Sequence, residues 1–367
     1  MRAGLRIGLV GPLPPPAGGM ANQTKQLANL LIAEGCVVEI VRTNADYRPA
    51  WVARVPVMRA FARLVPYKWA LWRTAGRVDL FHIMANSGWS WHLFAAPAIL
   101  IGRLRGVPVV LNYRGGEAET FLRRQAAWVR PLLKHVDVLA VPSGFLRDVF
   151  AKFGLRAQVV PNIVDLSRFG ASAPRRNPGA PHIIVTRNLE ALYDCATAMR
   201  AFALLRTEYP QAVMTIAGRG PEREALLTLA AQLGVEAAVD FPGSLDHAAI
   251  ASLYASADLM LNPSRVDNMP NAVLEALASG VAVVSTNVGG VSYMVEDGRT
   301  ALLVPPADPQ AMAEAALRVL QQPELAARLT AAGRESVEAY TWPQVRVQLA
   351  ALYDQVLRTS RAAASVV

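Results

Sequence analysis

The chain has 367 residues, 53% of them apolar and 18% charged, enough to bury two cores, since single domains usually run to about 100–200 residues. Its 37 Lys and Arg against 28 Asp and Glu give a net charge of +9, which favours anionic partners such as phosphates, nucleic acid or an anionic membrane face. Cys36 and Cys195 lie far apart in apolar surroundings and match no metal-ligand spacing, which argues against a disulfide framework or a zinc centre and reads them as core thiols.

In chain order, "MRAGLRIGLVGPLP" reads as a first buried strand rather than a cleavable leader, so the protein is expected in the cytoplasm. The following "GPLPPPAGGMANQTKQLANLL" lacks the G-x-G-x-x-G spacing of a nicotinamide-binding turn. Gly18 and Gly19 stand directly before a helix with Leu27, Leu30 and Leu31 on one face. Backbone without side chains at a helix N-terminus suits an approaching phosphate or hydroxyl, and equally an ordinary turn.

Residues 51–77 carry Arg54, Arg59, Arg63, Lys68, Arg73 and Arg77 with no acid, interleaved with Trp51, Trp69 and Trp72. Such a segment suits either an anionic membrane interface or a surface layer over the first sheet, with Pro56 and Pro66 expected to cut it into short helices. The apolar stretch 89–102 contains Pro97 and falls short of the ~20 residues needed to span a bilayer.

Short Val/Ile/Leu runs recur with helix-length segments between many of them. In the first half these are "LRIGLVG", "VVEIVR", "VDLFHI", "PVVLNY", "VDVLAVPS" and "AQVVPN"; in the second, "HIIVTR", "AVMTIAG", "AAVDFPG", "ADLMLNPS", "VAVVST" and "ALLVPP". This pattern predicts an α/β protein of two doubly wound parallel sheets. The Gly/Pro/Ala-rich 170–181 is expected to link domain 1–169 to domain 182–341. In the last helix, 342–367, Trp342, Val345, Leu349, Leu352 and Val356 follow a helical period, and the helix is expected to pack back on the first domain. Ligands in such sheets sit beyond the carboxyl ends of the strands, so a cleft between the domains is the expected site.

Three segments after strands carry chemistry. Arg187, followed by Asn188, ends "HIIVTR", where a guanidinium can fork onto a diphosphate or form a surface ion pair. Arg219 lies between Gly218 and Gly220 in a phosphate-compatible or merely solvated turn. The strand "DLMLNPS" then leads into "RVDNMPNAVLEALASG", where Pro270 reads as a first-turn proline with backbone N–H groups open from Asn268 through Met269 to Asn271. Asp267 precedes this helix, and Glu275 is the one side chain from Ala272 to Val284 that is neither apolar nor small. A buried carboxylate needs a proton, a cation or donors, so Glu275 either bonds neighbouring backbone or meets a ligand.

The stretch from Asp267 to Glu275 resembles the E-x7-E motif of the retaining glycosyltransferases of family 4, with Asp267 in place of the first Glu. Nearly the whole chain shares the likeness: "GPLPPPAGG", "VPNIVDLSRF", "ADLMLNPS", "LEALASGVAVVSTNVGG" and "VEDGRTALLVPPADPQAMAEA" occur in the family's order. The resemblance implies the GT-B fold of two Rossmann-like domains. It also implies a nucleotide-diphosphate sugar, UDP favoured, as donor on the second domain and a glycan or lipid-linked acceptor on the first. No metal, no separate cofactor and no nucleic acid are expected. It assigns Glu275 to the ribose hydroxyls, Asp267 and the backbone of Asn268–Asn271 to the donor sugar, Arg187 to the diphosphate, and Gly18 and Gly19 to its other side.

Two departures stand out. The family's Lys shortly after the Arg is absent, Leu192 and Tyr193 standing there, and the His that often follows the fourth strand is replaced in "LNYRGGEAE" by Tyr113 or Arg114. Arg114 is the candidate for the lost positive charge. The implied chemistry is front-face transfer with retention, in which the enzyme stabilises the leaving diphosphate and aligns two substrates. An inactive partner subunit, a nucleotide-sugar epimerase of related fold and a two-lobed solute-binding protein are the competing readings. The basic segment suggests polysaccharide assembly, with peripheral contact at the inner membrane face.

Overall fold

Each of the apolar runs forms a parallel strand in the computed structural model, which describes residues 1–15, 18–45, 56–170 and 179–364. Trp51, Arg54 and most of the expected linker lie outside the described residues. The chain divides into two units, Met1–Asn162 with Trp342–Val367, and Ile163–Thr341.

The first unit contains β1 (Arg6–Gly11), β2 (Val37–Arg42), β3 (Leu80–Ala85), β4 (Val109–Tyr113), β5 (Val138–Val141) and β6 (Gln158–Val159) in the order β2-β1-β3-β4-β5-β6. β3, β4 and β5 are buried along their whole length, as strands covered on both faces must be. The helices used below are α1 (Gly19–Ala33), α2 (Pro56–Ala75), α3 (Ala96–Leu104), α4 (Ala118–Leu133), α5 (Gly144–Lys152) and α12 (Trp342–Ala364). In α12, Val345, Leu349, Leu352 and Val356 are all buried at the expected period. Its first turn is anchored where the Trp342 indole donates to Glu34 at 3.0 Å and Arg346 pairs with the same carboxylate.

The expected break of the basic segment does not occur: α2 is one helix of 20 residues with Pro66 inside it. Pro56 opens the helix, where a missing N–H is harmless. Beyond Pro66, Tyr67, Leu71 and Ala75 are buried, and this packing outweighs the single hydrogen bond that Pro66 removes.

The second unit contains β7 (His182–Val185), β8 (Val213–Ala217), β9 (Val239–Gly243), β10 (Leu259–Asn262), β11 (Ala282–Thr286) and β12 (Leu302–Val304), ordered β12-β11-β10-β7-β8-β9. The order reverses between β7 and β10, which places the topological switch point at their carboxyl ends. One face packs on α6 (Cys195–Leu205), α7 (Arg223–Gln232), α10 (Pro309–Gln321) and α11 (Pro323–Ser336). The other packs on α8 (His247–Ser256) and α9 (Asn271–Ala278). Both cysteines are buried free thiols. Among the described residues no helix is long and apolar enough to cross a membrane.

Candidate active site

At the switch point of the second sheet, the loop after β7 carries Arg187 and the loop after β10 carries Asp267. Their side chains, 9% and 10% exposed, form an ion pair at 2.6 Å. The Arg187 guanidinium lies 3.9 Å over the ring of Tyr193, at the place where the sequence departs from the family's Lys. An aromatic face holds the cation in position but adds no second charge. Burial raises the pKa of Asp267, while Arg187, the Ser264 side chain and the Asn268 N–H hold it down.

A second ion pair stitches the same two loops together. Arg265 donates to buried Asp194 at 2.7 Å, and the Arg265 backbone N–H donates to the Leu192 carbonyl. Asp194 has φ 45°, a left-handed conformation that Asp tolerates better than most residues.

Glu275, half-buried on α9, finds a partner inside its own unit. The Tyr254 hydroxyl of α8 lies 3.1 Å from its Oε2 and also contacts the Ala272 carbonyl at 3.0 Å and the Thr186 hydroxyl at 2.7 Å. Burial pushes Glu275 up to about 7, against the lowering effects of Tyr254, Arg168 and Arg187. It therefore titrates near neutrality and can accept hydroxyl hydrogen bonds as a carboxylate.

Close backbone approach at three glycines holds these loops in place. A Cβ on Gly290 would sit 1.7 Å from the Asn268 carbonyl oxygen, and the Gly290 N–H donates to the Asp267 carbonyl at 3.0 Å. A Cβ on Gly218 or Gly220 would lie 1.9 Å and 2.1 Å from the carbonyl oxygens of Arg187 and Leu189 respectively, and the Leu189 N–H donates to the Arg219 carbonyl. Below them a buried chain runs from Ser264 through Asn262 to Ser285, while Thr286 donates to the Ser264 carbonyl.

Other anticipated residues have different settings. Asn188 is exposed and donates to Glu190, and exposed Arg219 lies against Gly243. Asn268, Met269 and Pro270 are buried beside Asp267. Pro270 is the N-cap of α9 with ψ 114°, not a first-turn residue, and Asn271 begins the helix. The expected series of open N–H groups is not found, since Pro270 has no N–H and the Asn268 N–H donates to Asp267 Oδ1 at 3.0 Å.

Arg114, Gly18 and Gly19 belong to the first unit. Gly18 is the extended N-cap of α1, and a Cβ added to it would meet nothing within 4 Å. Arg114 follows β4, where its guanidinium donates to Asn162 and reaches Asn112 Oδ1 at 3.5 Å. Burial lowers its pKa to about 10.

Behind Arg114, the Asn112 amide faces His82 Nε2 at 3.2 Å, and His82 Nδ1 meets the Tyr353 hydroxyl of α12 at 2.8 Å. As oriented, Asn112 donates to Nε2, so the proton of the neutral ring sits on Nδ1 and is donated to Tyr353. Burial keeps His82 uncharged by lowering its pKa to about 3, and the Arg114 charge acts in the same sense.

Sequence reasoning missed Tyr254, Thr186, Arg168 and the His82–Asn112 relay. The first three come from elements far apart in the chain. Only the lone Tyr in the otherwise small and apolar "AAIASLYAS" was a visible signal for Tyr254.

Residues 172–336 match the family described as glycosyl transferases group 1, and residues 17–168 match glycosyltransferase family 4. The sucrose-phosphate synthase of Thermosynechococcus elongatus superposes with a TM-score of 0.80 at 20% identity, over 97% of this chain and all of that one. Anabaena HepE in complex with UDP-glucose gives 0.73 at 16% identity, over 95% and 99% of the two chains. The fold is thus that of a GT-B glycosyltransferase.

Among sequence relatives, the glycogen synthase of Mycobacterium tuberculosis is 29% identical over 286 residues, covering 73% of this chain and 68% of its own. The phosphatidyl-myo-inositol mannosyltransferase of Mycolicibacterium smegmatis is 28% identical over 376 residues, 96% of this chain and 94% of its own. The protein belongs to the group 1 glycosyltransferases.

Proposed function

We propose that the protein transfers a sugar, with retention of configuration, from a nucleotide-diphosphate sugar to a hydroxyl of a glycan or lipid-linked acceptor. The observation that carries this reading is the Arg187–Asp267 pair at the switch point of the second sheet, with the near-neutral Glu275 on the adjoining helix. A diphosphate reaching this point meets a guanidinium already fixed by Tyr193 and Asp267. Such preorganised charge stabilises a leaving diphosphate at little reorganisation cost.

In this reading Glu275 accepts from the ribose hydroxyls and Asp267 from hydroxyls of the donor sugar, with the backbone from Asn268 to Asn271, including Met269 and Pro270, beside it. Asn188 and Arg219 border the donor, and Gly18 and Gly19 allow close approach of a phosphate. Arg114 provides the positive charge for which the family uses other residues. The donor phosphate itself takes the acceptor proton as the glycosyl bond breaks, so no protein nucleophile, metal or separate cofactor is required. UDP is the favoured nucleotide, in keeping with UDP and UDP-glucose on Anabaena HepE. A lipid-linked acceptor accords with the phosphatidyl-myo-inositol mannosyltransferase relative.

The acceptor reading extends to a peripheral contact with an anionic membrane face. On α2, Phe61, Val65, Trp69 and Trp72 are exposed at spacings that align them along the helix. Arg73 and Arg105 lie over the Trp69 and Trp72 rings, and Arg63 and Lys68 add charge. Vesicles containing anionic lipid should co-sediment the protein at low salt and release it as salt rises; failure at low salt removes this part.

The transfer itself is tested by incubating candidate nucleotide sugars with lipid extracts and simple glycosides, followed by NMR of the product anomer. Retained configuration is expected. An inverted product refutes the mechanism, and donor conversion without any acceptor identifies an epimerase.

A further inference from the structure

A row of hydrogen bonds in the first unit runs in one direction. The Arg114 guanidinium donates to Asn112 Oδ1, the Asn112 amide donates to His82 Nε2 at 3.2 Å, and His82 Nδ1 donates to the Tyr353 hydroxyl at 2.8 Å. Only the first member is charged, because burial keeps the imidazole of His82 and the phenol of Tyr353 neutral.

The cation sets this direction. Turning the Asn112 amide over would bring its NH2 group against the guanidinium, so the charge of Arg114 decides which way round the amide stands. The amide in turn decides the tautomer of His82, since the Tyr353 hydroxyl can accept or donate and makes no choice of its own. Hydrogen bonds aligned head to tail polarise and strengthen one another in a low-dielectric interior.

Docking α12 on the sheet does not require such groups. β3 otherwise carries Leu, Phe, Ile, Met and Ala, all buried, and an apolar pair at His82 and Tyr353 would avoid desolvating an imidazole and a hydroxyl. His82, Asn112 and Tyr353 are at most 2% exposed, whereas Arg114 is half-buried, so the charged end is the part of the row that a ligand can touch. Arg114 is fixed at two further points. Its N–H donates to the Ala85 carbonyl at the end of β3 at 2.9 Å, and its guanidinium also donates to buried Asn162. A guanidinium fork held in place before its ligand arrives loses less freedom on binding.

We infer that Asn112, His82 and Tyr353 are positioning residues for the Arg114 guanidinium, and that the row they form holds it to meet a phosphate group of the donor. The inference rests on the reading of Arg114 as a positive charge of the site. It goes beyond that reading by naming the residues that fix the charge, one of them on the last helix of the chain.

The test is NMR of the full chain, isotope-labelled at the side-chain nitrogens of histidine and arginine, with inorganic pyrophosphate as the probe. His82 should be a neutral Nδ1–H ring from about pH 5 to about pH 8. Arg114→Met should replace it by a mixture of tautomers, and Arg114→Lys, which keeps the charge, should retain it. Pyrophosphate should shift the Arg114 signal of the wild type. Tyr353→Phe, which removes one oxygen and leaves the ring packing, and His82→Leu should each weaken that response about tenfold in Kd, roughly 1.4 kcal/mol. His82→Gln, whose side-chain oxygen can accept from Asn112, should keep most of it. The Arg187 signal of the second unit should respond alike in the wild type and these three variants.

A His82 tautomer unchanged in Arg114→Met, or an Arg114 response unchanged in both Tyr353→Phe and His82→Leu, overturns the inference. An Arg114 signal that ignores pyrophosphate in the wild type while Arg187 responds also overturns it: the row then only docks α12, and the donor reading of the second unit stands. A row-dependent response at Arg114 with Arg187 silent upholds the inference and removes Arg187 from the diphosphate instead.

Discussion

Among single residues, two carboxylates and the groups that hold them decide the chemistry of the site. Glu275 titrates near 7 against an ordinary value of 4.5. A raised acid contributes stability that is full below its ordinary pKa and is lost as pH rises through the folded value. The melting temperature of the wild type, relative to Glu275→Gln, should therefore fall between about pH 4.5 and pH 7 and level off above. Nucleotide affinity should rise over the same window in the wild type and stay flat in the variant, as titration calorimetry across pH would show. Tyr254 lowers the pKa of Glu275, so Tyr254→Phe should move the binding midpoint upward; an unmoved midpoint would exclude Tyr254 from the site.

Removing one member of the Arg187–Asp267 pair leaves a buried charge, a change that costs about 3–5 kcal/mol in comparable sites. Denaturant melts of Arg187→Ala, Asp267→Ala and the double variant should show the double change to be milder than the sum of the two. Glu275 stood out in the sequence because it was the single charge in an apolar run. Its partner did not, because Tyr254 is brought to it by the packing of α8 on α9, a contact no local pattern encodes.

At the scale of elements, the site is a set of loops at strand ends, held by glycines that admit no side chain. Gly290→Ala would place a Cβ 1.7 Å from a carbonyl oxygen, so the loop of Asp267 must shift. Both melting temperature and nucleotide binding should drop. Gly18→Ala meets no neighbouring atom in an extended conformation and should melt like the wild type. If Gly18 admits a phosphate, the same variant should lose transfer activity, and full activity would make it an ordinary turn.

The strands were readable because doubly buried strands are continuous Val/Ile/Leu runs. The continuity of α2 was not, since proline spacing argues for a break and only the burial of Tyr67 and Leu71 opposes it. The position of Pro270 was off by one residue for a similar reason: proline marks a helix start, but the cap geometry decides on which side of the boundary it falls.

At the scale of the whole molecule, the two units differ in how the chain builds them. The second is continuous, Ile163–Thr341, whereas the first needs Trp342–Val367 to return to it. Residues 163–341 expressed alone should fold cooperatively and bind the nucleotide. Residues 1–162 alone would lose the Tyr353 hydroxyl from His82 and the helix face of Val345, Leu349, Leu352 and Val356, and should be poorly folded by circular dichroism and melting. The helical period of the last segment was legible in the sequence; its buried hydrogen bond to His82, made 271 positions away, was not.

Whether Arg187 and Glu275 form a nucleotide site is tested by a thermal-shift and calorimetric series with UDP, GDP, ADP, TDP and CMP on the wild type, Glu275→Gln and Arg187→Ala. A ligand at about a hundred times its Kd stabilises the native state by ~2.7 kcal/mol. One nucleoside diphosphate should stabilise the wild type and lose most of its effect in both variants. Nucleotide binding undiminished in both variants, or no stabilisation of the wild type by any nucleotide, would contradict it, and the second outcome would favour an inactive partner subunit.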